Sequence, residues 1–186
     1  RHRAAVPSPP RRPRRMSLPP GLSFASPAPG WAGALADFDA RAFGRDAWPF
    51  EQWVQELASR RSVYIAIVRE GGIAAVPEIV AAGGVGLGPE AEVLTVAVSR
   101  KERGRGLGGA LLDELLARAR EGGAEDVFLE VRSRDPIAQK LYSGRGFAAV
   151  GLRKGYYGDD DALVMRLRTG ETSRGPAGAA RPTDAA

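Results

Sequence analysis

The chain has 186 residues with 24 glycines, 14 prolines, one histidine and no cysteine, a length that predicts one compact domain with unstructured ends. No disulfide framework, thiol nucleophile, iron–sulfur cluster or thiolate zinc site can form. The lone His2 stands among arginines and prolines, a poor setting for a serine–histidine triad or an imidazole-rich metal site, so no metal is expected and any base must be a carboxylate, tyrosine, lysine or water.

The net charge of +5 is unevenly placed. Residues 1–30 hold six arginines and no acid, whereas residues 31–168 hold 19 basic and 20 acidic residues. The excess therefore belongs to a tail and not to a binding face, and no specific nucleic-acid binding is expected. Eight prolines fall in that stretch (Pro7, Pro9, Pro10, Pro13, Pro19, Pro20, Pro27 and Pro29); residues 1–30 are read as an unstructured Arg/Pro-rich tail. Met16 follows the Arg-Pro run, so residues 1–15 are expected to lie outside the working protein. Residues 169–186, rich in Gly, Ala, Pro, Ser and Thr, read as a second tail. No stretch reaches the roughly 20 apolar residues a membrane span needs, and a reducing cytoplasm fits the absence of cysteine.

Between the tails, at 31–168, the elements alternate. Trp31, Leu35, Phe38, Ala42 and Phe43 recur at helical spacing, and Pro49–Leu57 reads as a second short helix with proline at its start. A strand over Val63–Val68 ends at the Gly71-Gly72 turn. A weaker apolar segment, Ile73 to Val85, and a strand over Val93–Val98 follow. Gly106 to Arg120 is the clearest helix, its stripe of Leu107, Leu111, Leu112, Leu115, Leu116 and Ala119 closed by Gly122-Gly123. A strand over Val127–Val131, a helix over Pro136–Arg145 with Asp135 as N-cap and Gly144 inside, and paired strands Phe147–Leu152 and Ala162–Arg168 complete a mixed α+β sheet with helices on both faces.

Arg103-Gly104-Arg105-Gly106-Leu107-Gly108-Gly109 sets four glycines and two arginines before the longest helix. Glycines let backbone N–H groups face a ligand, the free amides of the first turn favour a pyrophosphate, and arginines add charge. Gly104, Gly106 and Gly109 also satisfy G-x-G-x-x-G, with Glu130 near the position of a ribose-binding acid. Five residues, Ser99–Arg103, separate the strand from that first glycine, and too few elements follow for a doubly wound sheet, which leaves the dinucleotide reading second.

Parsed as Arg103-x-x-Gly106-x-Gly108, the loop resembles the signature of the GNAT acyltransferase family. Leu94–Val98, Leu129-Glu130-Val131-Arg132 and Ala138-x-x-Leu141-Tyr142-x-x-x-Gly146-Phe147 are similar to that family's fourth strand, fifth strand and following helix and turn. Together with Gly155-Tyr156-Tyr157 and Asp161–Met165 they resemble the RimI-type N-terminal acetyltransferases of ribosomal proteins. The resemblance implies a central mixed sheet of six to seven strands flanked by helices on both faces, with acetyl-CoA as co-substrate. Val96, Ala97 and Val98 would face thioester and pantetheine; Arg103, Gly104, Arg105, Gly106, Leu107, Gly108 and Gly109 would hold the pyrophosphate. Glu130 would be general base, Tyr142 general acid, and Tyr156 and Tyr157 would line the peptide slot. Asp135 replaces an asparagine that contacts the cofactor in that pattern; it can cap the helix but cannot donate through its side chain. The implied partner is a protein N-terminus, the N-terminal alanine of a small-subunit ribosomal protein.

If Val127, Leu129 and Val131 pack inward, Phe128 and Glu130 project from the other sheet face. A free α-amine with pKa about 7.7–8.0 is about a tenth neutral at pH 7, and a lysine at about 10.4 far less so, which suits a lightly perturbed glutamate to the first. Glu90 and Glu92 are rival bases, and pairing of Glu130 with Arg132 or Arg134 would make it a plain surface acid. Asp159-Asp160-Asp161 reads as a solvated turn, lacking the ligand spacing of a calcium loop. Two other readings stay open: a small-molecule or polyamine acetyltransferase of the same fold, which would prefer an acid-lined pocket, and a non-catalytic acyl-CoA or dinucleotide-binding protein.

Overall fold

The structure, a computed structural model, describes residues 17–170. Seven strands form one sheet in the order β1-β2-β3-β4-β5-β7-β6. They span Leu22–Ala25 (β1), Ser62–Arg69 (β2), Ile79–Gly86 (β3), Glu90–Val98 (β4), Asp126–Arg132 (β5), Ala148–Arg153 (β6) and Ala162–Arg168 (β7). All neighbours pair antiparallel except β4 and β5, which run parallel. The helices are Ala32–Phe43 (α1), Phe50–Ala58 (α2), Leu107–Glu121 (α3) and Pro136–Ser143 (α4). A single parallel pair is not the doubly wound sheet that a dinucleotide site requires.

Two apolar layers sandwich the sheet. On one face the α3 stripe, with Leu111, Leu112 and Leu115 fully buried, packs on Ile65, Ile67, Val80 and Val127 together with Tyr142 and Phe147. On the other, Leu35 and Phe38 of α1 and Trp53 of α2 pack on Tyr64, Ala66 and Ala82. Small residues in β3 let the layers approach. A β-carbon on Gly83 would lie 2.8 Å from Leu115 Cδ1, and one on Gly84 only 2.2 Å from the Tyr64 ring. Tyr64 is fixed there by its hydroxyl, which donates to Glu56 at 2.6 Å, and by edge contacts with Trp48 and Trp53, whose centroids lie 6.4 and 5.3 Å away.

Three expectations need correction. The stretch read as an unstructured N-terminal tail contains β1, which pairs Leu22–Ala25 with Arg69–Ala66; residues 1–16, with the whole arginine run, lie outside the described residues, as do 171–186. The apolar segment from Ile73 becomes strand only at Ile79, after Pro77, which has no N–H to donate to a ladder, and Ile73 is fully exposed. Helix α4 ends at Ser143, so Gly144 is its C-cap and carries no helix-interior penalty; the left-handed position falls to Gly146, φ +92°.

Candidate active site

The sheet is built to open at its centre. β4 and β5 pair only through Glu90↔Asp126, Ala91↔Val127 and Glu92↔Phe128. Beyond these, β4 continues against β3 as far as Val98 and β5 against β7 as far as Arg132. Each strand keeps its outer neighbour and loses its inner one, so the facing backbone groups are left for a ligand or water. A register shift against β3 leaves Leu94 bulged out of the β4 ladder. The bulge switches the alternation: Ala91 and Val93 face the α3 layer before it, Val96 and Val98 after it, and Leu94 and Ala97 face α1 and α2.

A cavity of about 430 Å³ fills the opening, walled by Glu92–Val96 and Leu129–Arg132 from the parted strands, by Asp135 and Tyr142 of the α4 region, by Tyr156 and Tyr157, and by Asp39, Asp46 and Trp48. Leu129 and Val131 point into the core and Glu130 is partly exposed, as the strand alternation requires. Its carboxylate pairs neither with Arg132 nor with Arg134: Arg153 of β6 donates to it, and the neighbouring Glu130 carboxylate raises the pKa of the Tyr156 phenol. Glu92 stands close by, its pKa raised by burial and by the Glu130 charge and drawn back by Arg153. Tyr142 is buried, edge-on to Phe147 at 5.9 Å, with its phenol pushed up to about 12 by burial and by the nearby Asp135 and Tyr157. Tyr156 and Tyr157 meet edge to face at 5.0 Å, with the Arg153 and Arg132 guanidiniums 4.5 and 4.3 Å from their respective ring centres.

At the other end of β4 the loop into α3 turns on two left-handed glycines, Gly104 (φ +77°) and Gly106 (φ +79°), and no side chain caps the helix. The amides of the first turn are therefore free of side-chain acceptors. Both arginines are exposed yet bond the protein itself. Arg103 Nε donates to the Val98 carbonyl at 3.3 Å, and Arg105 donates to Glu102, a buried acid that also accepts from Arg69 at 2.6 Å. Leu107 is core, and only its backbone faces the loop. Gly109 has a packing explanation: a β-carbon there would lie 2.2 Å from Arg145 Nη2, and that guanidinium bonds Asp113 at 2.7 Å through Nε. Asp135 caps α4 by accepting from Ala138 N–H at 3.0 Å.

The structure thus brings Glu130, Tyr142, Val96, Asp135, Tyr156 and Tyr157 to one cavity. Ala97 packs under α1 and α2, and Val98 ends the strand toward the glycine loop. The acidic run at 159–161 is no solvated turn. Asp160 is buried and accepts from Ser133 Oγ (2.6 Å), Arg134 N–H (3.1 Å) and Asp161 N–H (2.8 Å), while Asp159 pairs with Arg132 and Arg45. Among the described residues no group of three or more His, Cys, Asp or Glu is placed to hold a metal. The wall from Asp39 to Trp48 was missed; its one signal is an acid, Asp39, on the buried stripe of α1, where it accepts from Trp48 N–H at 2.7 Å. Arg153 gave no signal, because its place beside Glu130 depends on β7 lying between β5 and β6.

Known proteins are similar to this chain in sequence and in fold. Residues 33–147 fit the model of the acetyltransferase (GNAT) family, and the chain belongs to that family. It is 40% identical over 150 residues, 76% of this chain and 89% of the relative, to N-alpha-acetyltransferase RimI of Mycobacterium tuberculosis. Against the ribosomal protein bS18-alanine N-acetyltransferase of Escherichia coli K12 it is 35% identical over 82 residues, 42% of this chain and 55% of that enzyme. In fold it is similar to the crystal structure of the Escherichia coli ribosomal-protein-S18-alanine N-acetyltransferase, TM-score 0.71 at 23% identity over 82% of this chain and 97% of that one. It is also similar to Arabidopsis thaliana NAA60 in complex with acetyl-CoA, TM-score 0.72 at 18% identity over 81% and 99%. The chain is an acetyltransferase of RimI-like type, and the dinucleotide alternative is set aside.

Proposed function

We propose that this acetyltransferase moves an acetyl group from acetyl-CoA to the free α-amine of a protein N-terminus, with a ribosomal protein as the partner that similarity to the RimI enzymes suggests, in the cytoplasm. The observation that carries the reading is the glutamate set beside the parted strands with a buried tyrosine in the same cavity.

The residues present fit the co-substrate. Backbone groups on the open edge of β4, Val96 among them, suit an amide-bearing pantetheine, and the uncapped turn at Gly106–Gly109 suits a diphosphate, with Arg103 and Arg105 adding positive charge beside it. When bound, acetyl-CoA supplies an activated thioester. Glu130 accepts the proton of the attacking amine, directly or through water, as the N–C bond forms and the C–S bond breaks. Backbone N–H groups of β4 near Val98 are suited to hold the acetyl oxygen. Tyr142 remains protonated across the working pH range because its phenol lies near 12. A complete transfer from it to a thiolate whose conjugate thiol has a pKa of about 8.5 is uphill, so its part is to donate a hydrogen bond to the sulfur, which departs as the thiolate and takes its proton from solvent. Asp135 lines the same cavity but is engaged in capping. Tyr156 and Tyr157 would flank an extended peptide.

The acid-rich wall of Asp39, Asp46 and Glu92 favours one alternative, a polyamine acceptor. Turnover measured on free-amine peptides, N-terminally blocked lysine peptides and polyamines separates the two. Reaction of the free α-amines alone is expected; reaction confined to the blocked peptides and polyamines overturns the reading.

A further inference from the structure

The carboxylate assigned as base is not bare. Arg153 ends edge strand β6, lays its guanidinium against Glu130, and lies over the Tyr156 ring. Glu92 faces the same place from β4 and feels both charges. Around this trio stand Tyr156 and Tyr157 from the β6–β7 connection and Arg132 from β5 itself. The Arg132 guanidinium is committed to Asp46 and Asp159, which leaves Arg153 as the cation shared by Glu130 and Glu92. Two carboxylates and an aromatic ring around one cation make a subsite for an ammonium or guanidinium ion. The occupant is poorly anchored: the Arg153 side chain is 57% exposed while that of Glu130 is 18% exposed, and pairs of such exposure exchange readily.

We propose that Arg153 is a built-in placeholder in the acceptor subsite, so that the incoming amine, in its ammonium form, enters by displacing a guanidinium of the protein itself. The inference rests on reading this cavity as the acceptor site. An α-amine arrives mostly protonated at neutral pH; the two carboxylates receive that cation, which passes its extra proton to solvent before the neutral amine attacks and gives its second proton to Glu130. A guanidinium keeps its proton under all working conditions, so Arg153 offsets the charge of the carboxylates without being able to react. Displacement makes no covalent change; Arg153 swings out along the free edge of β6, and the ammonium takes its place between Glu130 and Glu92. Free guanidinium ions should then compete with the acceptor.

The test compares wild type, Arg153→Gln and Arg153→Lys in steady-state kinetics with whichever amine the wild type acetylates. Removing the internal competitor is expected to lower the KM for the amine about two- to fivefold in Arg153→Gln, with the KM for acetyl-CoA little changed. Arg153→Lys should stay near wild type, and methylguanidinium should inhibit Arg153→Gln competitively with the amine at lower concentration than wild type. A fall in kcat with an unchanged or raised amine KM would make Arg153 a positioning residue for Glu130 and overturn the proposal. Calorimetric titration of methylguanidinium into Arg153→Gln needs no turnover: binding that vanishes in the Arg153→Gln/Glu130→Gln double variant supports the subsite, and absence of binding overturns it. A wild-type preference for polyamines would refute the peptide reading while leaving this comparison intact.

Discussion

A β-carbon on Gly109, in the first turn of α3, would stand 2.2 Å from Nη2 of Arg145, in the turn after α4. The two residues therefore share one space, and the Arg145–Asp113 ion pair holds the end of α4 against the helix that carries the glycine loop. Gly109→Ala should gain up to about 1 kcal/mol in helix propensity and lose an ion pair of about 0–1 kcal/mol, for little net change. In an Arg145→Ala background only the gain remains. A double-mutant cycle by urea unfolding is expected to give a coupling equal to the ion pair's worth, up to about 1 kcal/mol; a Gly109→Ala that stabilises the wild-type and Arg145→Ala backgrounds equally, by about 1 kcal/mol, with Arg145→Ala itself costly, would show that the guanidinium does not hold this position.

The proton acceptor Glu130 and the hydrogen-bond donor Tyr142 separate kinetically. Glu130→Gln is expected to lower kcat by about 10²-fold or more with acetyl-CoA binding retained. Tyr142→Phe should lower kcat by a smaller factor and leave the pH–rate profile between 6 and 9 unaltered in shape, since a phenol near 12 does not titrate there. Stopped assays across that range with a free-amine peptide decide it; loss of a basic limb in Tyr142→Phe would contradict the raised phenol.

Stability should respond to pH in opposite senses at two buried acids. Burial raises the Asp39 pKa against the Trp48 N–H and the Trp53 indole, whose N–H favours the ionised form although it falls short of hydrogen-bond geometry. A raised folded pKa contributes stability that is whole below the unfolded value of about 3.9 and is lost as pH climbs through the folded one. Asp39→Asn keeps an acceptor for Trp48 and carries no charge, so its melting temperature should gain on wild type from pH 4 toward neutrality.

Asp160 behaves inversely. The Ser133 hydroxyl, then the backbone N–H groups of Arg134 and Asp161, hold it below the usual carboxylate range. Its contribution is present above pH about 4 and is lost as pH falls through the lowered pKa. Melting curves of Asp160→Asn between pH 5 and 2.5 should be flatter than those of wild type; parallel curves would count against the clamp.

Gly84→Ala tests the opposite layer. Its β-carbon would meet Tyr64 at 2.2 Å, and that ring cannot retreat while its hydroxyl bonds Glu56 and its edges meet Trp48 and Trp53. A loss of about 1–3 kcal/mol, read by denaturant unfolding together with a changed near-ultraviolet tryptophan signal, is expected.

What the sequence could say depended on whether the cause was local. The α3 stripe, the alternation placing Glu130 opposite Leu129 and Val131, and the Asp135 cap are set by neighbours within a turn or a strand, and all are found where periodicity puts them. β1 has only four residues, flanked by prolines, and is strand because β2 offers it an edge. Asp160 looks like a turn acid until Ser133 and Arg134 are folded onto it from the end of β5. Gly109 reads as part of a phosphate cradle because Arg145 is far along the chain, and Arg153 meets Glu130 only through the strand order β5-β7-β6.

Three residue pairs are all that stitch β1–β4 to β5–β7 across the middle of the sheet. The molecule is therefore two half-sheets on a short seam, and any ligand whose amides bond both bare margins supplies the missing ladder. Occupancy should be readable without catalysis, as slowed amide exchange on Val93–Val98 and Leu129–Arg132 and as a higher melting temperature that grows with ligand concentration.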